Sequence, residues 1–201
     1  MTLPERITSE AELEDLLAQP SDEDIASVAR LEPDIMILGA GGKMGPSLAR
    51  RVQHAAARAG KGSRVLAVSR FSSREARTEL ESQGVPTLAC DFLSAPAITG
   101  LPRFPNVLYL AGRKFGTTDR TDITWATNTV VPARVAEHFA DSRMVVFSTG
   151  NVYPLVPVTG PAPTEADPPA PVGEYAQSCL GRERVVEYVS RQDALRALLL
   201  F

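Results

Sequence analysis

Short apolar runs alternate with amphipathic helical patterns along this chain, and this alternation constrains the fold more than any other feature. The apolar runs predict strands at residues 34–40, 64–70, 85–91, 106–112 and 143–150, with a sixth in the closing "ALRALLLF". The helical patterns predict helices over 43–59, 73–83, 121–140 and from Tyr175 to about 190. Apolar strands separated by helices indicate a parallel sheet covered on both faces. The sequence therefore predicts an α/β fold, a Rossmann-type doubly wound parallel sheet with flanking helices.

Two short helices are predicted before the first strand, over 9–18 and 22–31, because Ser9 and Ser21 are suitable N-caps. We expect residues 1–33 to form an N-terminal helical extension. The 201 residues suffice for one domain with a well-covered core. No apolar run reaches the length of a membrane helix, and the acidic, polar N-terminus is unlike a secretory signal.

Charge is distributed unevenly along the chain. Residues 1–35 hold ten acids and two arginines, whereas nine Lys or Arg and one acid lie between Lys43 and Arg77. The basic run is either a solvated helix face or a site for a phosphorylated small molecule. The net charge of −3 and the absence of interleaved aromatic residues argue against nucleic acid as a partner.

The two cysteines, Cys90 and Cys179, do not have the spacing of a metal site, so we expect no bound metal and a reducing cytoplasm. His54 and His138 lie in helical patterns without a partner pattern and are predicted to be surface residues. The closing strand has no polar residue after Arg196, which would place a terminal carboxylate beside buried strand residues. We therefore expect the chain to be truncated before a C-terminal substrate region.

A glycine-rich turn, "LGAGGKMG", lies between the first strand and the first long helix. The phosphate loop of nucleotide hydrolases requires Ser or Thr after Lys43, where Met44 stands, so that motif is absent. The spacing Gly39-x-x-Gly42-x-x-Gly45 would let backbone N–H groups at a helix start face a pyrophosphate. The turn predicts cofactor binding, and the alternative is a purely structural turn.

The end of the second predicted strand bears on which cofactor is bound. NAD-binding sites usually carry an acid about 20 residues after the glycines, for the ribose 2′-hydroxyl. Here the strand ends in Ser69 and Arg70, with Arg74 nearby. An arginine suits a 2′-phosphate, so NADP is favoured over NAD unless Arg70 is merely a surface residue.

These features resemble the extended short-chain dehydrogenase/reductase superfamily, in particular its NAD-dependent epimerase/dehydratase family, from about Asp34 to the end. The resemblance implies that residues 34–201 are an NAD(P)-binding domain. The resemblance, together with the glycine-rich turn and the end of the second strand, predicts the cofactor-binding residues. These are Gly39, Gly42, Lys43, Met44, Gly45, Ser69, Arg70, Asp91, Leu110, Ala111 and Gly112. The catalytic residues that it implies are Asn128, Thr149, Tyr175 and, in the position of the family lysine, Cys179.

Cys179 is the departure from the family pattern. The family's lysine lies four residues after the tyrosine, holds the nicotinamide ribose and lowers the pKa of the tyrosine. A thiol is a weak donor without charge, so Lys43 or Lys114 would have to replace that cation from a loop. Cys179 itself fits a small buried residue better than a nucleophile, and Tyr175 and Thr149 could also be packing residues.

Two functions follow from this pattern. The first is an NAD(P)-dependent epimerase, dehydratase or reductase acting on a nucleotide sugar or a related hydroxyl or carbonyl compound. The second is a non-catalytic NAD(P)-binding sensor or partner subunit, which the substitution at Cys179 favours. The resemblance also implies a homodimer formed through the helices over 121–140 and 174–190. We expect a small-molecule substrate and no membrane partner.

Overall fold

The computed structural model describes residues 4–193 and 195–200. These residues contain six strands: β1 (Ile35–Leu38), β2 (Val65–Ser69), β3 (Thr87–Ala89), β4 (Asn106–Tyr109), β5 (Arg143–Phe147) and β6 (Arg196–Leu200). The α-helices are α1 (Glu10–Leu17), α2 (Asp22–Arg30), α3 (Gly45–Ala59), α4 (Arg74–Ser82), α5 (Ala95–Thr99), α6 (Thr121–Trp125), α7 (Val131–His138) and α8 (Gly173–Gln192). The strand order is β3-β2-β1-β4-β5-β6, which confirms the predicted Rossmann-type α/β fold.

The chain divides into two compact units. Unit 1 comprises Met1–Asp91 and Pro102–Leu110, and unit 2 comprises Phe92–Leu101 and Ala111–Phe201. This division differs from the predicted boundary after residue 33, which stays a prediction. The predicted sixth strand is confirmed over the residues of β6, whereas the ends of the predicted segment, 194 and 201, lie outside the described residues.

Unit 1 is built on four parallel strands. Ile35 of β1 is in register with Val65 of β2 on one side and with Asn106 of β4 on the other. All four residues of β1 are buried, as expected for the central strand of a sheet covered on both faces. Its Ile37 packs in a core cluster with Ala49 of α3, so the apolar run of β1 fixes the position of the first long helix.

The N-terminal helices pack on α3 and neutralise part of its basic surface. Ser9 and Ser21 cap α1 and α2, as predicted, and Ser21 also forms a capping box. The α3 side chain Arg51 donates to Asp24 at 2.5 Å, and its neighbour Arg50 makes a similar bond to Asp15 at 2.5 Å. The basic run is therefore partly paired with the acidic extension, and it is not simply a solvated face.

Unit 2 contains the parallel pair β5 and β6, with Arg143 in register with Arg196, and a set of helices. Between α6 and α7 the helix widens into one π-helical turn, Ala126–Val130. The long predicted helix over 121–140 is thus three consecutive segments. The prediction that His138 lies on the surface is wrong, because its side chain is buried and its Nε2 lies 3.0 Å from the Leu101 carbonyl oxygen.

Within residues 4–193 and 195–200, every helix is too short or too polar to span a bilayer. The same residues contain no group of three or more His, Cys, Asp or Glu side chains arranged to hold a metal ion.

Candidate active site

Unit 1 places the glycine motif at the turn between β1 and α3. β1 ends at Leu38 and α3 begins at Gly45. The N–H groups of Gly39 and Ala40 both donate to the carbonyl oxygen of Val68 in β2, at 2.8 and 3.1 Å, which ties the turn to the sheet. Gly39 has a φ of 94°, a conformation that residues with a Cβ rarely adopt.

The rest of this turn leaves little room for side chains. A Cβ at Gly45 would lie 2.2 Å from the carbonyl oxygen of Ala40, and one at Gly42 would lie 3.3 Å from another backbone oxygen. Lys43 and Met44 are exposed where α3 begins. Because the first N–H groups of a helix lack intrahelical partners, the turn presents partially positive backbone to an anion. Its shape therefore fits the pyrophosphate of a dinucleotide.

The other predicted cofactor residues of unit 1 lie at or just beyond the carboxyl ends of its strands, where ligands bind in open parallel sheets. Ser69 ends β2, and its Oγ would lie 2.7 Å from a Cβ at Gly41, so β2 and the glycine turn are adjacent. Arg70 is exposed directly after it, and Asp91 is exposed after β3. Leu110, after β4, donates its N–H to a β1 carbonyl oxygen at 2.8 Å.

In unit 2, one face of α8 carries the candidate proton-transfer residues. Tyr175, Cys179 and Arg182 follow one another at spacings of four and three residues, which places them on one side of a helix. Tyr175 is half-buried, Cys179 is fully buried and Arg182 is 5% exposed. The sequence prediction included the first two residues and missed Arg182.

The Tyr175 hydroxyl interacts with the side chains of Thr149 and Cys179. Thr149 lies just after β5 in extended backbone, and its Oγ1 accepts the N–H of Asn151 at 3.3 Å. Burial raises the pKa of Tyr175, the Cys179 thiol raises that pKa further, and the Thr149 hydrogen bond and the Arg182 charge oppose the rise. Tyr175 is therefore a neutral phenol at pH 7.

Cys179 is a free, buried thiol. Burial raises the pKa of Cys179, while the Arg182 charge and the hydrogen bond with Tyr175 act in the opposite direction. A buried thiol of raised pKa is a poor nucleophile, which agrees with the interpretation of Cys179 as a small packing residue.

Arg182 is the functional candidate that the sequence pattern did not reveal. Its Nη1 donates to the Phe147 carbonyl oxygen at 2.8 Å, and its Nη2 donates to Asn128 Oδ1 at 3.1 Å. Nη2 also lies 3.8 Å from Cys179 Sγ. A Cβ at Gly112 would lie 2.7 Å from Nη2, so the predicted cofactor residue Gly112 leaves space for the guanidinium. The available signal was an arginine seven residues after the tyrosine, on the helix face that Tyr175 and Cys179 share.

Asn128 lies in the π-helical turn and joins two segments of the site. Its Nδ2 donates to the Arg113 carbonyl oxygen and to Ser178 Oγ, both at 3.0 Å, and its Oδ1 accepts the Arg113 N–H at 2.7 Å. Asn128 is fully buried. It therefore fixes the segment after β4, which contains Ala111 and Gly112, against α8. π-turns often occur at functional sites.

A buried carboxyl group, Glu183, also belongs to this cluster and was absent from the sequence prediction. Ser148 Oγ donates to Glu183 Oε1, and burial raises the pKa of Glu183. Lys114, by contrast, is exposed, with its ammonium 5.9 Å from the centroid of the Phe115 ring. The cation in contact with Cys179 is Arg182, and neither Lys43 nor Lys114, the two predicted substitutes for the lysine, takes that place.

The fold and the glycine turn define a dinucleotide-binding domain of the Rossmann class. A model of the NAD dependent epimerase/dehydratase family matches residues 35–201. The chain therefore belongs to the NAD-dependent epimerase/dehydratase family, and the resemblance of its motifs to that family is confirmed.

Solved structures of similar fold include a dTDP-glucose 4,6-dehydratase from Streptomyces venezuelae with NAD bound, at 18% identity and a TM-score of 0.73. They also include a UDP-Glc/GlcNAc 4-epimerase from Campylobacter jejuni, at 19% identity and a TM-score of 0.70. The matches cover 83% and 85% of this chain and 54% of each of those chains. This chain thus spans about half their length. A search of curated proteins found no match.

Proposed function

We propose that this chain is an NAD(P)-dependent oxidoreductase-type enzyme that acts as an epimerase, dehydratase or reductase on a nucleotide sugar or a related hydroxyl or carbonyl compound. The observation that carries the proposal is the meeting of Thr149 and Tyr175, which lie on separate segments of unit 2, at the Tyr175 hydroxyl. A hydroxyl donor beside a phenol is suited to hold and protonate one substrate oxygen. The two solved structures described above act on nucleotide sugars, which supports this substrate class.

The cofactor proposal rests on the glycine turn of unit 1. The pyrophosphate would bind at Gly39, Gly42 and Gly45, with Lys43 and Met44 beside it at the start of α3. By the family resemblance, Asp91 would lie near the adenine, and residues 110–112 would border the cofactor. When bound, the nicotinamide supplies or accepts a hydride.

We further propose that NADP is preferred over NAD. Ser69 and the exposed Arg70 end β2 where an NAD site usually carries an acid. The Arg70 guanidinium would form charge-assisted hydrogen bonds with a 2′-phosphate. The family description and an NAD-bound neighbour, a UDP-glucuronic acid 4-epimerase from Bacillus cereus, favour NAD, so this preference requires its own test.

In the proposed reaction the proton moves between Tyr175 Oη and the substrate oxygen. During reduction of a carbonyl, Tyr175 donates its proton to that oxygen as the carbon is reduced, and the resulting phenolate is reprotonated from solvent. Thr149 Oγ1 accepts the Asn151 N–H, and its own hydrogen, which bonds Tyr175 in the free site, would turn to the same substrate oxygen when substrate binds. Asn128 is a positioning residue, since its bonds hold the Arg113 backbone and Ser178 in place.

A second candidate function is a non-catalytic NAD(P) sensor or partner subunit. Cys179 stands where the family lysine would lower the tyrosine pKa, and burial and the thiol together raise that pKa instead.

A homodimer and a cytoplasmic location, the latter in keeping with two free thiols, are also proposed. Sedimentation and fractionation would test them.

Tyr175→Phe is the variant that tests the enzymatic proposal. It removes the proton donor, and we expect turnover of a nucleotide-sugar panel to fall by at least about a hundredfold while cofactor affinity stays unchanged. Tyr188→Phe is the matched control, because Tyr188 is on the same helix and 65% exposed. Turnover that survives Tyr175→Phe would contradict the assignment. Cofactor binding without any turnover would favour the sensor.

A further inference from the structure

We propose that the Arg182 guanidinium, which lies beyond the Cys179 thiol on the same face of α8, supplies the fixed positive charge of the proton-transfer site and favours the phenolate of Tyr175. The inference rests on the proposed function in so far as Tyr175 is the proton donor. Arg182 then has the electrostatic role that the resemblance gives to a lysine, which is to favour the phenolate of the tyrosine. Arg182 is a positioning residue.

The environment of Arg182 is unusual for a structural arginine. Within residues 4–193 and 195–200, no carboxylate oxygen lies within 4.0 Å of its nitrogen atoms, although seven other ion pairs are formed. Its Nε is buried and has no hydrogen-bond partner in the same part of the chain. A buried cation without a counter-ion is costly to fold. Such a charge strongly favours the anionic form of any neighbouring acid.

The Arg182 charge lies on the same face of α8 as the tyrosine, with Cys179 between them. Nη2 of Arg182 lies 3.8 Å from Cys179 Sγ, and the thiol interacts in turn with the Tyr175 hydroxyl. The bonds to Phe147 and Asn128 hold the guanidinium in this position. A cysteine is small enough to leave the space that the guanidinium occupies, and Gly112 leaves the space on its other side.

The other titratable groups of the cluster act on the same residues. Burial raises the pKa of Tyr175, of Cys179 and of Glu183, and the Arg182 charge opposes each rise. Glu183 acts against Arg182 at Cys179, and it adds to the rise that burial causes in the pKa of Tyr153.

More distant charges act on the edges of this cluster. Besides burial, the Arg184 charge acts to lower the pKa of Glu183 and the Glu187 charge acts to raise it. The charges of Glu165 and Asp167 add to the rise that burial causes in the pKa of Tyr153. Among the charges that act on Tyr175 itself, Arg182 is the cation that favours its phenolate.

The test is a spectroscopic titration of Tyr175, which requires neither cofactor nor substrate. The tyrosinate absorbance of each protein is recorded against pH, and the matching Tyr175→Phe protein is subtracted. Arg182→Gln removes the charge but keeps an amide donor, and Arg182→Met removes both. We expect about tenfold less Tyr175 phenolate at a given pH in both variants. Arg184→Gln, an exposed control whose arginine pairs with Glu187 at 3.2 Å, should titrate as the wild type does.

An unchanged Tyr175 titration in folded Arg182→Gln would overturn the proposal, and a change in Arg182→Met alone would mean that only the hydrogen bonds matter. If neither variant folds, Gly112→Ala displaces the guanidinium by its Cβ, and the same loss of phenolate is expected. An unaltered titration in Gly112→Ala would again overturn the inference. Because the titration is independent of turnover, a shifted titration with active Tyr175→Phe would reject the proposed function alone.

Discussion

The surroundings of Tyr175 shift the pKa of its phenol in opposite directions. Burial and the Cys179 thiol favour the neutral phenol, while Thr149 and Arg182 favour the phenolate. The pKa of Tyr175 is raised, so burial and the Cys179 thiol outweigh Thr149 and Arg182. A neutral phenol is ready to donate a proton, so in the proposed reaction we expect carbonyl reduction to be favoured over alcohol oxidation at neutral pH.

The pH dependence of turnover follows from this direction. Oxidation of a hydroxyl group requires the phenolate, whose fraction rises about tenfold per pH unit below the pKa. Because the pKa of Tyr175 lies above its ordinary value of 10, we expect the oxidation rate to rise steadily from pH 7 to about 9. The reduction rate should stay flat over the same range. Initial rates in both directions across this range are the measurement.

Cys179→Lys provides the control for this pH profile. A lysine ammonium one turn after Tyr175 favours the phenolate, so the rise in oxidation rate should move to lower pH. A profile that is flat for oxidation in the wild type would show that Tyr175 is not the titrating base.

At the scale of elements, the glycine turn and α3 act as one unit. A Cβ at Gly45 would meet the Ala40 backbone at 2.2 Å, and neither backbone segment can yield without moving the turn. We therefore expect Gly45→Ala to lower the free energy of unfolding by about 1–3 kcal/mol and to weaken dinucleotide binding at least tenfold. Urea unfolding and calorimetric titration are the measurements.

Gly160→Ala is the matched control for this substitution. A Cβ at Gly160 would lie 3.4 Å from the Pro157 oxygen, in an exposed turn, and should change neither quantity. A Gly45→Ala protein of wild-type affinity would mean that the turn does not bind the cofactor.

Most elements could be predicted from sequence, because β1, β2 and the long helices have clear apolar periods. The five-residue helix Ala95–Thr99 was missed, since it is little longer than one turn and shows no measurable period. The π-turn at Asn128 was also missed, because a one-residue widening leaves the helical pattern intact. Each miss concerns an element that tertiary packing determines and local sequence does not.

At the scale of the whole molecule, the sequence supplies candidate site residues but not the electrostatics of their surroundings. Tyr175, Thr149 and Asn128 are candidates because their motifs resemble those of the family. Arg182 and Glu183 are not among them, because a charged residue in a helical pattern is usually solvated, and only the fold reveals that both are buried. The pairing of Arg50 and Arg51 with the N-terminal helices likewise depended on tertiary contacts.

The preference for one cofactor can be measured on the whole chain, because a ligand that binds only the folded state raises the free energy of unfolding of that state. At a hundred times its Kd, a dinucleotide should add about 2.7 kcal/mol to the free energy of unfolding, which is about 5–10 °C in Tm for a chain of this size. We expect NADPH to give a larger shift than NADH at equal concentration. Arg70→Gln should abolish the difference, since the 2′-phosphate loses a charged partner.

The matched control is Arg58→Gln, which removes an exposed arginine from the last turn of α3. It should preserve the difference between NADPH and NADH in thermal unfolding. Equal shifts by both dinucleotides in the wild type, or a larger shift by NADH, would contradict the assignment of Arg70 to a 2′-phosphate. The glycine turn would still account for dinucleotide binding in that case, because in the proposed site it would contact the pyrophosphate that both cofactors share.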